Sequence, residues 1–204
     1  MTQYFKIHPD TPQERLIGSA AVILGEGGVV IYPTDSCYAL GCCIGEKEAD
    51  ERIRQLRRLD PKHNMTLVCR DLSEIANYAK VGNAAYRLMK SLTPGPYTFL
   101  LRAKRDVPRR LQHPRRKTIG LRVPDNRIAL SLLNSLGGVM MSTSLILPGE
   151  DIPLTDPEEF NQLLENEVDL IIDGGPCGIE PTTVIDLADG DPDIVRQGKG
   201  RIHL

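Results

Sequence analysis

Three places in the chain set hydroxyl or carboxylate side chains just beyond a short predicted strand. Val29 to Tyr32 leads into Thr34-Asp35-Ser36, Val139 to Met141 into Ser142-Thr143-Ser144, and Val168 to Ile172 into Asp173-Gly174-Gly175. Polar groups at strand ends are where ligands of open α/β sheets gather, and hydroxyls there suit phosphate oxygens or an amino-acid hydroxyl. Ser, Thr and Asp are also ordinary turn formers, so these clusters point to a site without naming its ligand. A fourth polar cluster, Asp60-Pro61-Lys62-His63-Asn64, precedes another apolar run, and His63 is the one of four histidines that falls among such neighbours. Arg102 to Lys117 holds eight cations against one acid, Asp106. That run is the footprint of a polyanion partner, with Arg109, Arg110, Arg115 and Arg116 as its centre, or else a solvated loop.

Other chemistries lack their motifs. The chain has no G-x-x-x-x-G-K-[ST] loop, no G-x-G-x-x-G, no H-E-x-x-H and no G-x-S-x-G. Five cysteines, Cys37, Cys42, Cys43, Cys69 and Cys177, form no C-x-x-C pair and no cluster with histidine, which predicts reduced thiols and no bound metal.

The elements that must carry these residues alternate in type. Thr11-Pro12-Gln13-Glu14 reads as a capping box opening a helix from about Pro12 to Leu24, and glycines at 25, 27 and 28 end it. Helices are predicted near Glu48–Arg58, Leu72–Ala79, Ala84–Ser91, Ile128–Leu136 and Pro157–Glu165. Strands are predicted at Val29–Tyr32, Met65–Cys69, Tyr97–Ala103, Thr118–Val123, Val139–Thr143, Val168–Ile172, Thr183–Leu187 and Asp193–Arg196. The mixture implies an α/β fold with a twisted, mixed parallel and antiparallel sheet flanked by helices. At 204 residues, 41% hydrophobic and 25% charged, with net charge −2, the chain reads as one globular domain. No run is apolar enough to span a bilayer and no signal peptide is visible, so a cytoplasmic location without membrane contact is expected.

Gly27 to Gly41, with Pro33-Thr34-Asp35-Ser36-Cys37-Tyr38-Ala39-Leu40-Gly41 at its end, resembles the signature strand and turn of the YrdC-like family. Thr93-Pro94-Gly95-Pro96-Tyr97-Thr98 is similar to its Pro-Gly-Pro-x-Thr segment, and Thr118 to Pro124 to its arginine-bearing strand. Ser142-Thr143-Ser144, Thr182-Thr183-Val184-Ile185-Asp186 and Arg196 follow in order, most similar to the YciO branch. The resemblance implies one YrdC-like domain over about residues 8–198, with a concave basic face. It further implies the chemistry of threonylcarbamoyl-adenylate synthases, which join threonine, bicarbonate and ATP with release of pyrophosphate and serve threonylcarbamoyladenosine formation in tRNA. Mg²⁺ would then arrive with ATP and not in a permanent cage. By motif position, Arg57, Arg122 and Ser144 would serve catalysis. Thr34, Ser36, Tyr38, Lys62, His63 and Asn64 would serve the threonine end, and Ser142, Thr183 and Arg196 the nucleotide.

The resemblance has two breaks. Arg57-Arg58-Leu59-Asp60 stands where synthases carry Lys-x-Arg-Pro, and Ser144-Leu145-Ile146 where they carry Ser-x-Asn. Three functions stay open: an active or weakened synthase, a double-stranded RNA or tRNA binding module, and a pocket for another nucleotide or acyl adenylate. The cysteine reading gives a first test. Elemental analysis should find no stoichiometric zinc, and thiol titration after denaturation should count five; one zinc per chain overturns this.

Overall fold

A computed structural model describes residues 1–60, 63, 65–105 and 107–202. The strands are β1 (Gln3–Lys6), β2 (Val30–Tyr32), β3 (Ala39–Cys43), β4 (Thr66–Val68), β5 (Tyr97–Arg102), β6 (Thr118–Arg122), β7 (Met140–Ser144), β8 (Leu170–Asp173), β9 (Thr183–Asp186) and β10 (Asp193–Arg196). The α-helices are α1 (Glu14–Gly25), α2 (Lys47–Leu56), α3 (Leu72–Tyr78), α4 (Asn83–Leu92), α5 (Arg127–Leu136) and α6 (Pro157–Leu163). All ten strands form one sheet in the order β1-β8-β2-β3-β7-β4-β6-β5-β9-β10. The β1–β8, β8–β2, β4–β6 and β5–β9 pairs are parallel and the others antiparallel, so the fold is the mixed α/β sheet expected.

Side chains alternate across each strand, so the two faces of the sheet carry separate cores. Val30 and Tyr32 of β2, Met140 of β7, and Leu170 and Ile172 of β8 face α1 and α5, which add Ile17, Leu24, Ile128, Leu132 and Leu133. Ile31, Leu40, Leu67, Phe99, Leu121, Met141 and Ile185 face the opposite side, where Ile53, Ile75, Met89 and Phe160 of the other helices cover them. The α1–α5 pair covers the β1, β8, β2, β3 and β7 end of its face and reaches as far as Val68 of β4.

Local chemistry sets most boundaries. Asn126 Oδ1 accepts from Ala129 N at 3.0 Å to start α5, and Gly137, left-handed at φ 69°, ends it. The capping box expected at Thr11 does not form. The helix begins at Glu14 without a side-chain cap, and Thr11 Oγ1 lies 3.0 Å from His8 Nδ1 instead. Two strands escape the sequence pattern. β1 is a short edge strand, and β3, Ala-Leu-Gly-Cys-Cys, has little intrinsic strand preference and is held by pairing with β2 and β7. Gly41 in β3 is required by close approach, since a Cβ there would meet Tyr32 Cε1 at 2.9 Å.

Leu24 is wholly buried between α1 and the sheet. Leu24→Ala should lower the unfolding free energy by about 2–5 kcal/mol through lost burial and the cavity left behind, read from urea denaturation.

Candidate functional site

Beyond the reach of α1 and α5 the same face of the sheet lies open, and its side chains change character. Register sets Thr66 of β4 beside Gly120 of β6 on one flank and Ser142 of β7 on the other. Val68 sits beside Arg122, and Thr98 of β5 beside Val184 of β9. These residues floor a cleft of about 420 Å³, whose walls include Arg57, His63, Ile146, Asp151, Thr182 and Arg196. Gly120 keeps the floor low, because a Cβ would press Thr66 Oγ1 at 3.3 Å.

Each arginine of the cleft is held differently. Arg57, just past α2, donates from Nε to Ile146 O at 2.9 Å and from Nη1 to Thr143 Oγ1 at 2.6 Å. Arg196 on β10 donates from Nε and Nη2 to Thr182 O at 3.2 and 2.9 Å. Both are bound by uncharged acceptors. Burial lowers the pKa of each, yet a guanidinium stays cationic, so both remain charged. Arg196 is exposed as a whole residue while its guanidinium is desolvated against Thr182. Arg122, at the end of β6, is 7% exposed and pairs with Asp35 of the β2–β3 turn.

The hydroxyls are also oriented. Ser142 Oγ accepts from Tyr32 OH at 2.7 Å and donates to Leu40 O at 3.1 Å, which fixes it on the cleft floor. Thr182 Oγ1 lies 2.9 Å from Thr98 Oγ1. His63 has its pKa lowered by partial desolvation and by Arg57 and Arg54, which keeps the ring neutral near pH 7.

The structure gathers Arg57, Arg122, Arg196, Ser142, Ser144 and His63 on one cleft. Thr34 and Ser36 are buried beside it: Thr34 Oγ1 donates to Cys37 O at 2.6 Å and lies 3.5 Å from Arg122 Nη2, and Ser36 Oγ is 3.1 Å from Thr34 Oγ1. Tyr38 is directed into the opposite core. Its hydroxyl donates to Gly175 O at 2.7 Å and accepts from Gly174 N at 3.1 Å, and its ring meets Phe160 edge-on at 4.9 Å. Burial raises its phenol pKa well above the usual range. Thr183 likewise points away, with Oγ1 donating to Gly200 O at 2.6 Å, and the cleft is lined by its neighbour Thr182. Lys62 and Asn64 lie outside the described residues. The cleft also takes in Thr66, Thr98, Asp151 and Thr182, which sequence reasoning does not single out, and Thr143, which it marks only within the Ser142–Ser144 cluster; Thr98 and Thr182 likewise stand inside the quoted motifs.

A family model for Sua5, YciO and YrdC proteins, described as telomere recombination, matches residues 22–198. The chain belongs to the Sua5/YciO/YrdC family. It is 57% identical over 202 residues to YciO of Escherichia coli, covering 99% of this chain and 98% of that protein. The crystal structure of E. coli YciO superposes with a TM-score of 0.94 over 98% of each chain. The threonylcarbamoyl-AMP synthase of Chromobacterium violaceum is 32% identical over 183 residues, 89% of this chain and 94% of that one. The crystal structure of P. abyssi Sua5 complexed with L-threonine has a TM-score of 0.88 at 26% identity, covering 97% of this chain and 58% of that one.

Within this Sua5/YciO/YrdC framework the two sequence breaks land differently. Ile146 puts an alkyl side chain on the cleft wall while its carbonyl holds Arg57. Leu59 instead packs, half-buried, against the core opposite the cleft, so that position does not present a side chain to the site. The basic run is also placed away from it. Val107 and Leu111 seat the loop on the opposite core. Arg102 pairs with Asp189, and Arg116 pairs with Asp186 at 2.5 Å and Asp189 at 3.1 Å. The concave face is basic through Arg57, Arg122 and Arg196, not through residues 102–117. No helix among the described residues is long and apolar enough to cross a membrane.

Leu59→Arg should therefore lose about 1–2 kcal/mol of stability in urea denaturation without tightening ATP binding, because the new charge enters an apolar layer. Tighter ATP binding by a stable variant overturns this placement.

Proposed function

We propose that the cleft binds ATP and L-threonine and makes threonylcarbamoyl-adenylate slowly, in the cytoplasm, as a precursor for tRNA modification. The observation that carries this reading is the convergence of Arg57, Arg122 and Arg196 with Ser142, Thr143 and Ser144 on one cleft. The amine of threonine adds to bicarbonate, whose C–OH bond breaks with loss of water, and an oxygen of the resulting carbamate attacks the α-phosphorus. The bond from that phosphorus to the bridging oxygen breaks, and pyrophosphate leaves. Little covalent work falls to the protein, so catalysis rests on positioning and on cations around the departing phosphates.

Arg57 and Arg196, held by neutral acceptors, offer those cations from opposite walls, and the serines orient phosphate oxygens. Mg²⁺ bound to the nucleotide would neutralise charge on the β- and γ-phosphates, with Asp151 the nearby carboxylate. Ile146 offers the nucleotide no amide, and one lost polar contact to a transition state costs roughly 10²- to 10³-fold in rate. A slow synthase is the expected result.

A second reading, binding of double-stranded RNA or tRNA, draws on the exposure of Arg109, Arg110, Arg115 and Arg116 on one loop. Of these, Arg116 is committed to Asp186 and Asp189, and Arg110 Nη2 donates to Gly45 O at 3.0 Å. Such binding would be sequence-independent and steeply salt-dependent.

The deciding assay incubates protein with labelled ATP, L-threonine, bicarbonate and Mg²⁺ and looks for the adenylate and pyrophosphate. Wild type should form both slowly, Arg196→Ala should weaken ATP binding by about tenfold or more, and Ile146→Asn, checked for folding, should speed formation. Absence of product from a protein that binds ATP overturns the synthase reading in favour of a binding module.

A further inference from the structure

The turn between β2 and β3 sets a carboxylate against the most buried cation of the cleft. Arg122 Nη2 donates to Asp35 Oδ1, and the two side chains are only 9% and 10% exposed. A guanidinium and a carboxylate satisfy one another best as a fork of two parallel bonds. Here the contact runs through one nitrogen and one oxygen. Arg122 Nε and Asp35 Oδ2, both buried, have no hydrogen-bond partner among the described residues. Leaving buried polar atoms unpaired is costly, and more so on charged groups.

The surroundings explain why the pair does not relax into a fork. Thr34 Oγ1 accepts from Ser36 N at 3.1 Å and Cys37 N at 3.2 Å and donates to Cys37 O, which fixes the turn. Lys199 Nζ donates to Asp35 O from outside. Arg122 is fixed at its base by strand pairing with Val68. The free protein thus holds its central arginine, on the floor of the cleft, by a bond that uses part of each partner's capacity.

We propose that Asp35 is an internal anion that occupies Arg122 until a ligand's oxyanion replaces it, a positioning residue that sets how strongly an anion must bind to enter the cleft. The inference rests on the reading of the cleft as a site for ATP and threonine. A phosphate or carboxylate presenting two oxygens can engage Nε and Nη2 together, which Asp35 does not. Anions that gain less from that fork than Asp35 gives up stay out.

The test measures binding of ATP, inorganic pyrophosphate and L-threonine to wild type and to Asp35→Asn by calorimetry. The amide keeps the shape of the side chain and removes its charge, so affinity for the oxyanion that uses Arg122 should rise about tenfold. A rise for pyrophosphate assigns Arg122 to the phosphate end, and a rise for L-threonine assigns it to the carboxylate end. ATP binding by wild type with no tightening of any ligand in Asp35→Asn overturns this inference alone. No binding to either protein overturns it together with the proposed function. A readout on wild type covers the case in which Asp35→Asn does not fold. The Arg122 Nε–H resonance, assigned by its loss in Arg122→Lys, should shift on saturation with ligand, while that of Arg52, paired to Asp169 away from the cleft, should not. An unmoved Arg122 resonance at saturation overturns the exchange.

Discussion

The stretch of sheet that α1 and α5 leave uncovered is the constraint from which the rest of the site follows. Strand side chains alternate between faces, so each strand there carries two independent assignments. Leu67, Phe99, Leu121, Met141 and Ile185 point to the covered side and supply the burial that holds these strands together. Their alternates, Thr66, Thr98, Gly120, Arg122, Ser142 and Val184, are released from packing and are free to be polar or small. A cleft built this way draws its rigidity from the opposite face and asks little stability of its own lining. Tyr32 links the two parts of that face, lying in the α1–α5 core while its hydroxyl donates to Ser142.

Charge in the cleft is managed by the choice of partner. Arg57 and Arg196 rest on carbonyl and hydroxyl oxygens, which fix a guanidinium without neutralising it. Arg102 and Arg116, in the most cationic run of the chain, are neutralised by Asp186 and Asp189. Part of the charge in the arginine-dense run is therefore spent on these two carboxylates. Arg57 and Arg196 come from separate parts of the chain, yet they converge on one concave, partly dry surface where cationic fields reinforce one another. Arg122 is the exception inside the cleft, since its counter-anion is built into the turn that carries the family signature.

Much of the architecture was legible from the chain. The helices and most strands lie within a few residues of where periodicity and caps put them, because each carries a strong local pattern. α5 has Asn126 before it and Gly137 after it, and β8 opens on three large apolar residues, Leu170-Ile171-Ile172. The exceptions lack such local cause. β3 exists because β2 and β7 flank it, and Thr11 sits too far before α1 to cap it once His8 takes its hydroxyl. Ordered motifs likewise mark Arg57, Arg122, Ser142, Ser144 and Arg196 in the chain alone.

The sequence by itself determined most of the elements, the family, and most of the segments that approach the site. Direction was decided only by tertiary structure. Thr182 and Thr183 are adjacent and chemically identical, yet one lines the cleft and the other bonds Gly200 O. Tyr38 and Leu59 stand at motif positions but face the opposite core, and the basic loop is turned the same way by Val107 and Leu111. The physical reason is that alternation along a strand is a local property, while its phase depends on which face the partners cover, and a shift of one residue exchanges the faces. The pairing of Arg122 with Asp35 is of the same kind: 87 residues separate them, and only the folded sheet brings the turn to the strand end.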